Sequence, residues 1–271
     1  MIVGTPIGNL GDLSPRALDA LGDCDFIAAE DTRVTVKILN HFGLKKPMVS
    51  YFEHNRFEKG DAIAARIIGG EVCALVTDAG MPAVSDPGED LVRLCHKLGI
   101  KVEVIPGPSA FVAALAVSGM PAGRFTFEGF LSVNKLNRRE HIRSLLEEKR
   151  TMIFYEAPHK LPSTLKDLAA AFGEREVAIV RELTKIYEEV ILTTLPLAAQ
   201  KFAQEKLKGE IVLVIEGAPT LEEEPQTLES AVETAHGLIK EGLSLNEAAK
   251  QAAKQSGQKK GDIYKMLHQE E

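Results

Sequence analysis

The sequence predicts an α/β protein with two such regions and a small all-helical region at its C-terminal end. Three features carry this reading. Short apolar runs alternate with helical patterns through residues 1–120, the alternation resumes through 121–217, and the rest shows only helical spacing. Apolar runs each followed by a helix fold as a largely parallel sheet with helices packed on its faces.

In the first region, residues 25–29, 72–77 and 102–105 read as buried strands. Helical patterns occupy 14–21, 34–42, 59–68, 89–98 and 109–117. Gly119-Met-Pro-Ala-Gly123 punctuates the chain, which sets a domain boundary at 120/121, although a single large α/β domain would also fit. Beyond it, strands are expected at 125–130, 151–155, 177–181, 190–194 and 210–216, with helices at 136–149 and 160–172. The short link at 182–189 implies a mixed sheet. Residues 218–225 form a polar, proline-flanked linker. In 226–271, Leu228, Ala231, Val232, Ala235, Leu238 and Ile239 follow helical spacing, with Gly242 to end that helix. Ser244 and Glu247 fit a capping box, and Ile263, Tyr264, Met266 and Leu267 supply a last short helix. This spacing resembles a helix-turn-helix, and from pattern alone it suits somewhat better a small helical subdomain that only packs on its neighbour or a partner chain.

A length of 271 residues corresponds to about two domains. With 45% hydrophobic and 26% charged residues, the composition excludes wholesale disorder. No apolar run approaches the ~20 residues of a membrane span, and no secretory signal is recognisable, so a cytoplasmic protein without a membrane partner is expected. Cys24, Cys73 and Cys95 are scattered among apolar residues, which argues against disulfides and metal clusters, and no metal site is expected. The net charge of −7 disfavours nucleic-acid binding over the whole surface but permits local basic patches. Residues 133–150 hold six basic residues against three acidic ones, and residues 250–265 hold five lysines against Asp262. Either stripe could hold nucleic acid or be a solvated helix face.

Four loops at strand ends can carry chemistry. Gly4-Thr-Pro-Ile-Gly-Asn-Leu10 allows close backbone approach to a ligand, though it matches neither a dinucleotide fingerprint nor a P-loop. Ala29-Glu-Asp-Thr-Arg33 ends a strand on two carboxylates and a guanidinium. Thr77-Asp-Ala-Gly-Met-Pro82, continuing to Ser85-Asp-Pro-Gly88, is a long small-residue loop suited to an extended ligand. In Ile105-Pro-Gly-Pro-Ser-Ala110, Ser109 begins an apolar helix whose free amides favour an anion, or simply caps it. Further on, Tyr155-Glu-Ala-Pro-His159 clusters polar groups at another strand end.

Taken in order, these five segments resemble the bacterial ribosomal RNA small-subunit methyltransferase I family, within the tetrapyrrole methylase superfamily. The resemblance runs from Ile2 to about Gly217, and the helical tail is similar to that family's appended domain. It implies two α/β domains of the tetrapyrrole methylase type with an inter-domain cleft, S-adenosylmethionine as cofactor, and a homodimer. The implied reaction is methylation of a cytidine ribose 2′-hydroxyl in small-subunit ribosomal RNA. By motif, Ala79, Gly80, Met81, Ser109 and Ala110 would line the methionine part of the donor, and Tyr155, Glu156 and Leu183 its nucleoside part. Gly4 to Leu10, including Asn9, and Asp31 to Arg33 would face the RNA, with Arg138, Arg139 and Arg143 on the flanking backbone. Relatives usually carry several residues ahead of the Val-Gly-Thr-Pro motif. Here Met1 directly precedes Ile2-Val3, so the first strand is expected to be short or trimmed, and the packing of that edge is open.

Methyl transfer from a sulfonium is an in-line displacement that depends chiefly on positioning. A base near the hydroxyl would help, and Asp31 is the first candidate, with Asp78, Glu53 and His54 behind it; Arg33 would orient a phosphate or the ribose. Two other functions fit the same residues: a methylase of tetrapyrroles or another small molecule, and a non-catalytic RNA-binding regulator.

Overall fold

The computed structural model describes residues 1–205, 207–219 and 227–269. Met1–Ala218 forms one compact unit and Pro219–Glu271 a second. Most of the expected linker, residues 220–225, lies outside the described residues.

The first unit begins with β1 (Ile2–Val3), α1 (Pro15–Asp23), β2 (Phe26–Ala29), α2 (Thr32–His41), β3 (Met48–Ser50), α3 (Arg56–Ile68), β4 (Cys73–Val76), α4 (Gly88–Lys97), β5 (Val104–Ile105) and α5 (Ala110–Ser118). The strands make a wholly parallel sheet in the order β3-β2-β4-β1-β5. Buried side chains of β2 and β4 run without alternation, as strands covered on both faces require. The helices start on local chemistry. Ser14 Oγ accepts from the Ala17 amide at 3.1 Å with Pro15 in the first turn, and Asp31 accepts from the Arg33 amide at 2.8 Å.

The packing that the sequence left open for the first strand is fixed by its pairing. The short first strand is not an edge: β1 lies between β4 and β5, and the Met1 amino group donates to the Cys73 carbonyl at 2.6 Å. The sequence reading also passed over β3, whose three residues are too few to show a pattern.

The second half of this unit holds β6 (Phe125–Phe130), α6 (Lys135–Ser144), β7 (Thr151–Glu156), α7 (Leu161–Phe172), β8 (Glu176–Arg181), β9 (Glu189–Thr194), α8 (Leu195–Phe202) and β10 (Ile211–Ile215). The sheet is mixed, in the order β6-β7-β10-β8-β9; only β6 and β7 are parallel. One face packs against α6, α7 and α8 through Phe154, Leu161, Leu165, Leu168, Leu195 and Phe202. The other face is covered by α5, through Ala114 and Leu115 against Ile153, Ala178, Val180 and Val214. Thus α5 follows the first sheet in the chain but packs on the second. The loop residue Ile7 joins the same cluster.

The second unit consists of α9 (Leu228–Lys240), α10 (Leu245–Ser256) and α11 (Lys260–Gln269). Its core is Ala231, Val232, Ala235, Ala248, Ala249, Ala252, Ile263 and Leu267. The Ser244/Glu247 capping box is present, and Gly257 closes α10 in the left-handed conformation. Among the described residues no helix is long and apolar enough to cross a membrane.

Candidate active site

Strand order explains why four loops that are distant in sequence meet. β2, β4, β1 and β5 are successive neighbours, so the segments leaving their C-terminal ends share one rim. The rim is tied together by hydrogen bonds. Thr5 and Gly80 exchange backbone bonds of 2.9 and 3.1 Å, Thr5 Oγ1 donates to the Thr77 carbonyl at 3.1 Å, and the Gly107 amide donates to Met81 Sδ at 3.2 Å. Thr77 Oγ1 donates to Glu30 Oε2 at 2.5 Å, and the Asp31 amide donates to Asp78 Oδ1 at 3.0 Å.

The second sheet turns its matching end to this rim. Ile211 pairs with both Glu156 and Arg181, so the end of β7, the end of β8 and the start of β10 lie side by side. Between the two rims is a cleft of about 430 Å³, within the range of small-molecule sites. Ala79, Gly80, Met81, Ser109, Ala110, Tyr155, Glu156 and Leu183 all line it. Ser109 stands at the N-cap position of α5, but its side chain makes no capping hydrogen bond, which leaves both the hydroxyl and the first helix amides for a ligand. Ala83 and Ser85 flank the lining residue Val84, and Glu182 and Thr184 flank Leu183; all four flanking residues have positive φ. Such strain in non-glycine residues gathers at ligand clamps.

The first rim is acidic. Glu30, Asp78 and Asp86 line the cleft. Burial raises the Asp78 carboxyl above its ordinary value, and the nearby Glu30 charge adds to this. Burial also raises Asp86, although it accepts the amides of Ala83 and Gly88 at 3.0 and 2.8 Å. On the opposite rim Glu156 is buried, accepting from the Ala157 amide at 2.8 Å and from Thr164 Oγ1.

The other candidates lie outside the lining. Asp31 is held by Arg33 through Nε at 3.0 Å and Nη2 at 2.6 Å, and this pairing lowers its carboxyl to about 2. Asn9 accepts from the Gly11 amide at 3.0 Å, starting a short 3-10 turn. Arg138 donates to Asp167 at 2.7 Å and to Thr164 Oγ1 at 2.9 Å. It therefore supports Thr164, which in turn supports Glu156, and is not a free surface cation. Arg139 and Arg143 are exposed. Glu53 pairs with Arg56, and His54 sits against Phe52; neither lines the cleft. Among the described residues no group of three His, Cys, Asp or Glu could hold a metal ion.

The sequence profile of the tetrapyrrole (corrin/porphyrin) methylases matches residues 1–199. The chain belongs to the tetrapyrrole methylase family.

Relatives of this methylase are closer still. It is 46% identical over 266 residues to the ribosomal RNA small subunit methyltransferase I of Xylella fastidiosa strain Temecula1, covering 97% of this chain and 96% of that protein. The Thermotoga maritima protein of the same name is 46% identical over 217 residues, 80% of this chain but 97% of its own length. Among solved structures, uroporphyrin-III-C-methyltransferase from Thermus thermophilus superposes with a TM-score of 0.56 at 18% identity, over 78% of this chain and 91% of that one. That likeness concerns the fold.

The methylase cleft suits the chemical parts of S-adenosylmethionine. Free amides and the Ser109 hydroxyl match a carboxylate, Ile7 and Leu183 match the apolar faces of an adenosine, and the carboxylates of the first rim match ammonium and sulfonium charge. Sequence reasoning did not find Ile7, Phe130 or the β10 residues Ile211 and Val212 as lining. Ile7 sits inside a quoted motif. The β10 residues enter only because an antiparallel neighbour brings its first residues to the end of β7, which no local pattern reveals.

Proposed function

We propose that this methylase transfers the methyl group of S-adenosylmethionine to the 2′-hydroxyl of a cytidine ribose in small-subunit (16S) ribosomal RNA. The observation that carries the reading is the meeting of all eight motif-derived donor residues around one cleft. S-adenosylmethionine supplies an activated methyl group on a positively charged sulfur. The chain's own residues do the rest. Residues 79–81 and the start of α5 hold the methionine end, and Tyr155, Glu156 and Leu183 hold the nucleoside end. Their fixed alignment of hydroxyl and methyl can contribute on the order of 7–11 kcal/mol to lowering the barrier.

Asp78 is the better base of the carboxylates at the rim. It lines the cleft and its proton affinity is raised, whereas Asp31 is tied to Arg33 and held at about 2. The Asp31–Arg33 pair serves instead to orient the incoming ribose or its phosphate, with Asn9 beside the same face. Exposed Arg139 and Arg143 take the flanking RNA backbone. The methylase acts as a cytoplasmic homodimer on ribosomal RNA or the ribosomal subunit, with residues 1–120 and 121–217 as its two lobes. Calorimetry tests the first step: stoichiometric binding of S-adenosylmethionine is expected, and no heat of binding would leave a regulator as the better reading.

A further inference from the structure

Phe130 is out of place for an apolar side chain. It ends β6, it is 59% exposed, and it lines the cleft. A break in strand pairing puts it there. Phe127 lies opposite Ile153, but Gly129 lies opposite Phe154 and Phe130 opposite Tyr155, so β6 carries one extra residue. Gly129, at this shift, takes φ +63°, a conformation that glycine adopts without steric cost. In an unbroken strand the face shared with Phe127 would pass to residue 129. The extra residue gives it to Phe130, and both rings now meet Tyr155, at centroid distances of 5.0 and 5.4 Å. Glu128 is turned to the opposite face, where it meets His141 at 2.9 Å. Bulges beside active sites re-aim side chains in this way.

The neighbours of Phe130 indicate what its ring meets. The chain continues from it through Ser132 and Val133 into α6, whose Lys135, Arg139 and Arg143 are exposed and have no ion pair among the described residues. One side of Phe130 is thus the cleft, and the other leads to unneutralised cations suited to phosphates. A planar ring between a reaction cleft and a phosphate-binding stripe fits a nucleobase drawn out of its stack.

We propose that Phe130 is the stacking platform for the nucleobase of the nucleotide whose ribose is methylated. The inference rests on the RNA-methylating reading above and adds the residue that grips the base. Stacking of a base is read from affinity for the RNA and donor binding from affinity for S-adenosylmethionine, so the two can be measured apart.

The test uses the full chain with small ribosomal subunits lacking the modification. Phe130→Ala should raise KM for the subunit about 10-fold or more, while S-adenosylmethionine affinity stays within about 2-fold. Phe130→Tyr should restore KM, and Phe130→Leu, apolar but not planar, should not. Loss of S-adenosylmethionine affinity with KM for the subunit unchanged would assign the ring to the donor's adenine and overturn the proposal. Equal behaviour of Phe130→Leu and wild type would overturn it as well. A wild-type chain that methylates no subunit RNA would sink the function itself; a wild type that does, beside an unaffected Phe130→Ala, would sink only the role of Phe130.

Discussion

Gly4 and Gly107 meet backbone to backbone: a Cβ on Gly4 would lie 2.7 Å from the Gly107 Cα, and one on Gly107 would lie 2.8 Å from the Gly4 Cα. The loops after β1 and β5 are therefore pressed together with no side chain between them. Gly107→Ala cannot be relieved by a rotamer change, because the Cβ has none and every atom it meets belongs to the Gly4 main chain. It should separate the loops and disturb the Met81 contact made by the Gly107 amide. Calorimetry should show S-adenosylmethionine affinity reduced at least about tenfold, the equivalent of about 1.4 kcal/mol. Unchanged affinity would mean that this junction does not shape the donor site.

Asp78→Asn separates catalysis from stability. The amide keeps an oxygen for the Asp31 N–H but cannot accept the proton, so kcat should fall about 10²–10⁴-fold. A base must be ionised, so wild-type activity should be lost as pH falls through the Asp78 pKa. That pKa is raised, so the loss should come at higher pH than an ordinary aspartate would give. The sign for stability is opposite. A carboxyl whose folded pKa is raised disfavours folding once ionised, so at neutral pH the variant's Tm should equal or exceed that of wild type. A variant with normal kcat would return the role of base to another group.

The basic face of α6 divides into structural and free cations. Arg138 is only 15% exposed and bound to Asp167 and Thr164, whereas Arg139 and Arg143 are open to solvent. Reversing Arg139 and Arg143 to Glu should weaken RNA binding and lower the slope of log K against log salt by about 2. Arg138→Ala should instead lower S-adenosylmethionine affinity through Thr164 and Glu156, with the salt slope nearly unchanged. Filter-binding titrations at several salt concentrations, with calorimetry alongside, separate the two.

Phe154, fully buried on β7, anchors the second sheet against α7 and α8. Phe154→Ala should cost about 3–5 kcal/mol in urea unfolding, because the surrounding core cannot close over the lost ring. A loss below ~1 kcal/mol would contradict the placing of Phe154 as an anchor of this core.

Much of the architecture was legible because it is local. Strand and helix periodicity marks β6 to its exact ends at Phe125 and Phe130, and the Ser244/Glu247 pair marks the start of α10. The loops of the site were legible as motifs, since glycine, proline and acidic residues at strand ends have few other reasons to cluster. What was hidden is what depends on pairing. The central place of two-residue β1 comes from neighbours far away in sequence, and the re-aimed Phe130 from a register shift against β7. Arg138 reads in sequence like its neighbour Arg139, and only the position of α7 turns it inward to Thr164. Likewise α8, with a proline in its first turn and only eight residues, gave too short a period to be recognised.

The most direct measurement is mapping of the methyl group. The full chain is incubated with isotopically labelled S-adenosylmethionine and unmodified small ribosomal subunits, and the RNA is digested and analysed by mass spectrometry. Label on the 2′-oxygen of a single cytidine of the small-subunit RNA is the predicted result. Label on a base, label on a porphyrinoid offered in competition, or no label in any RNA would contradict it.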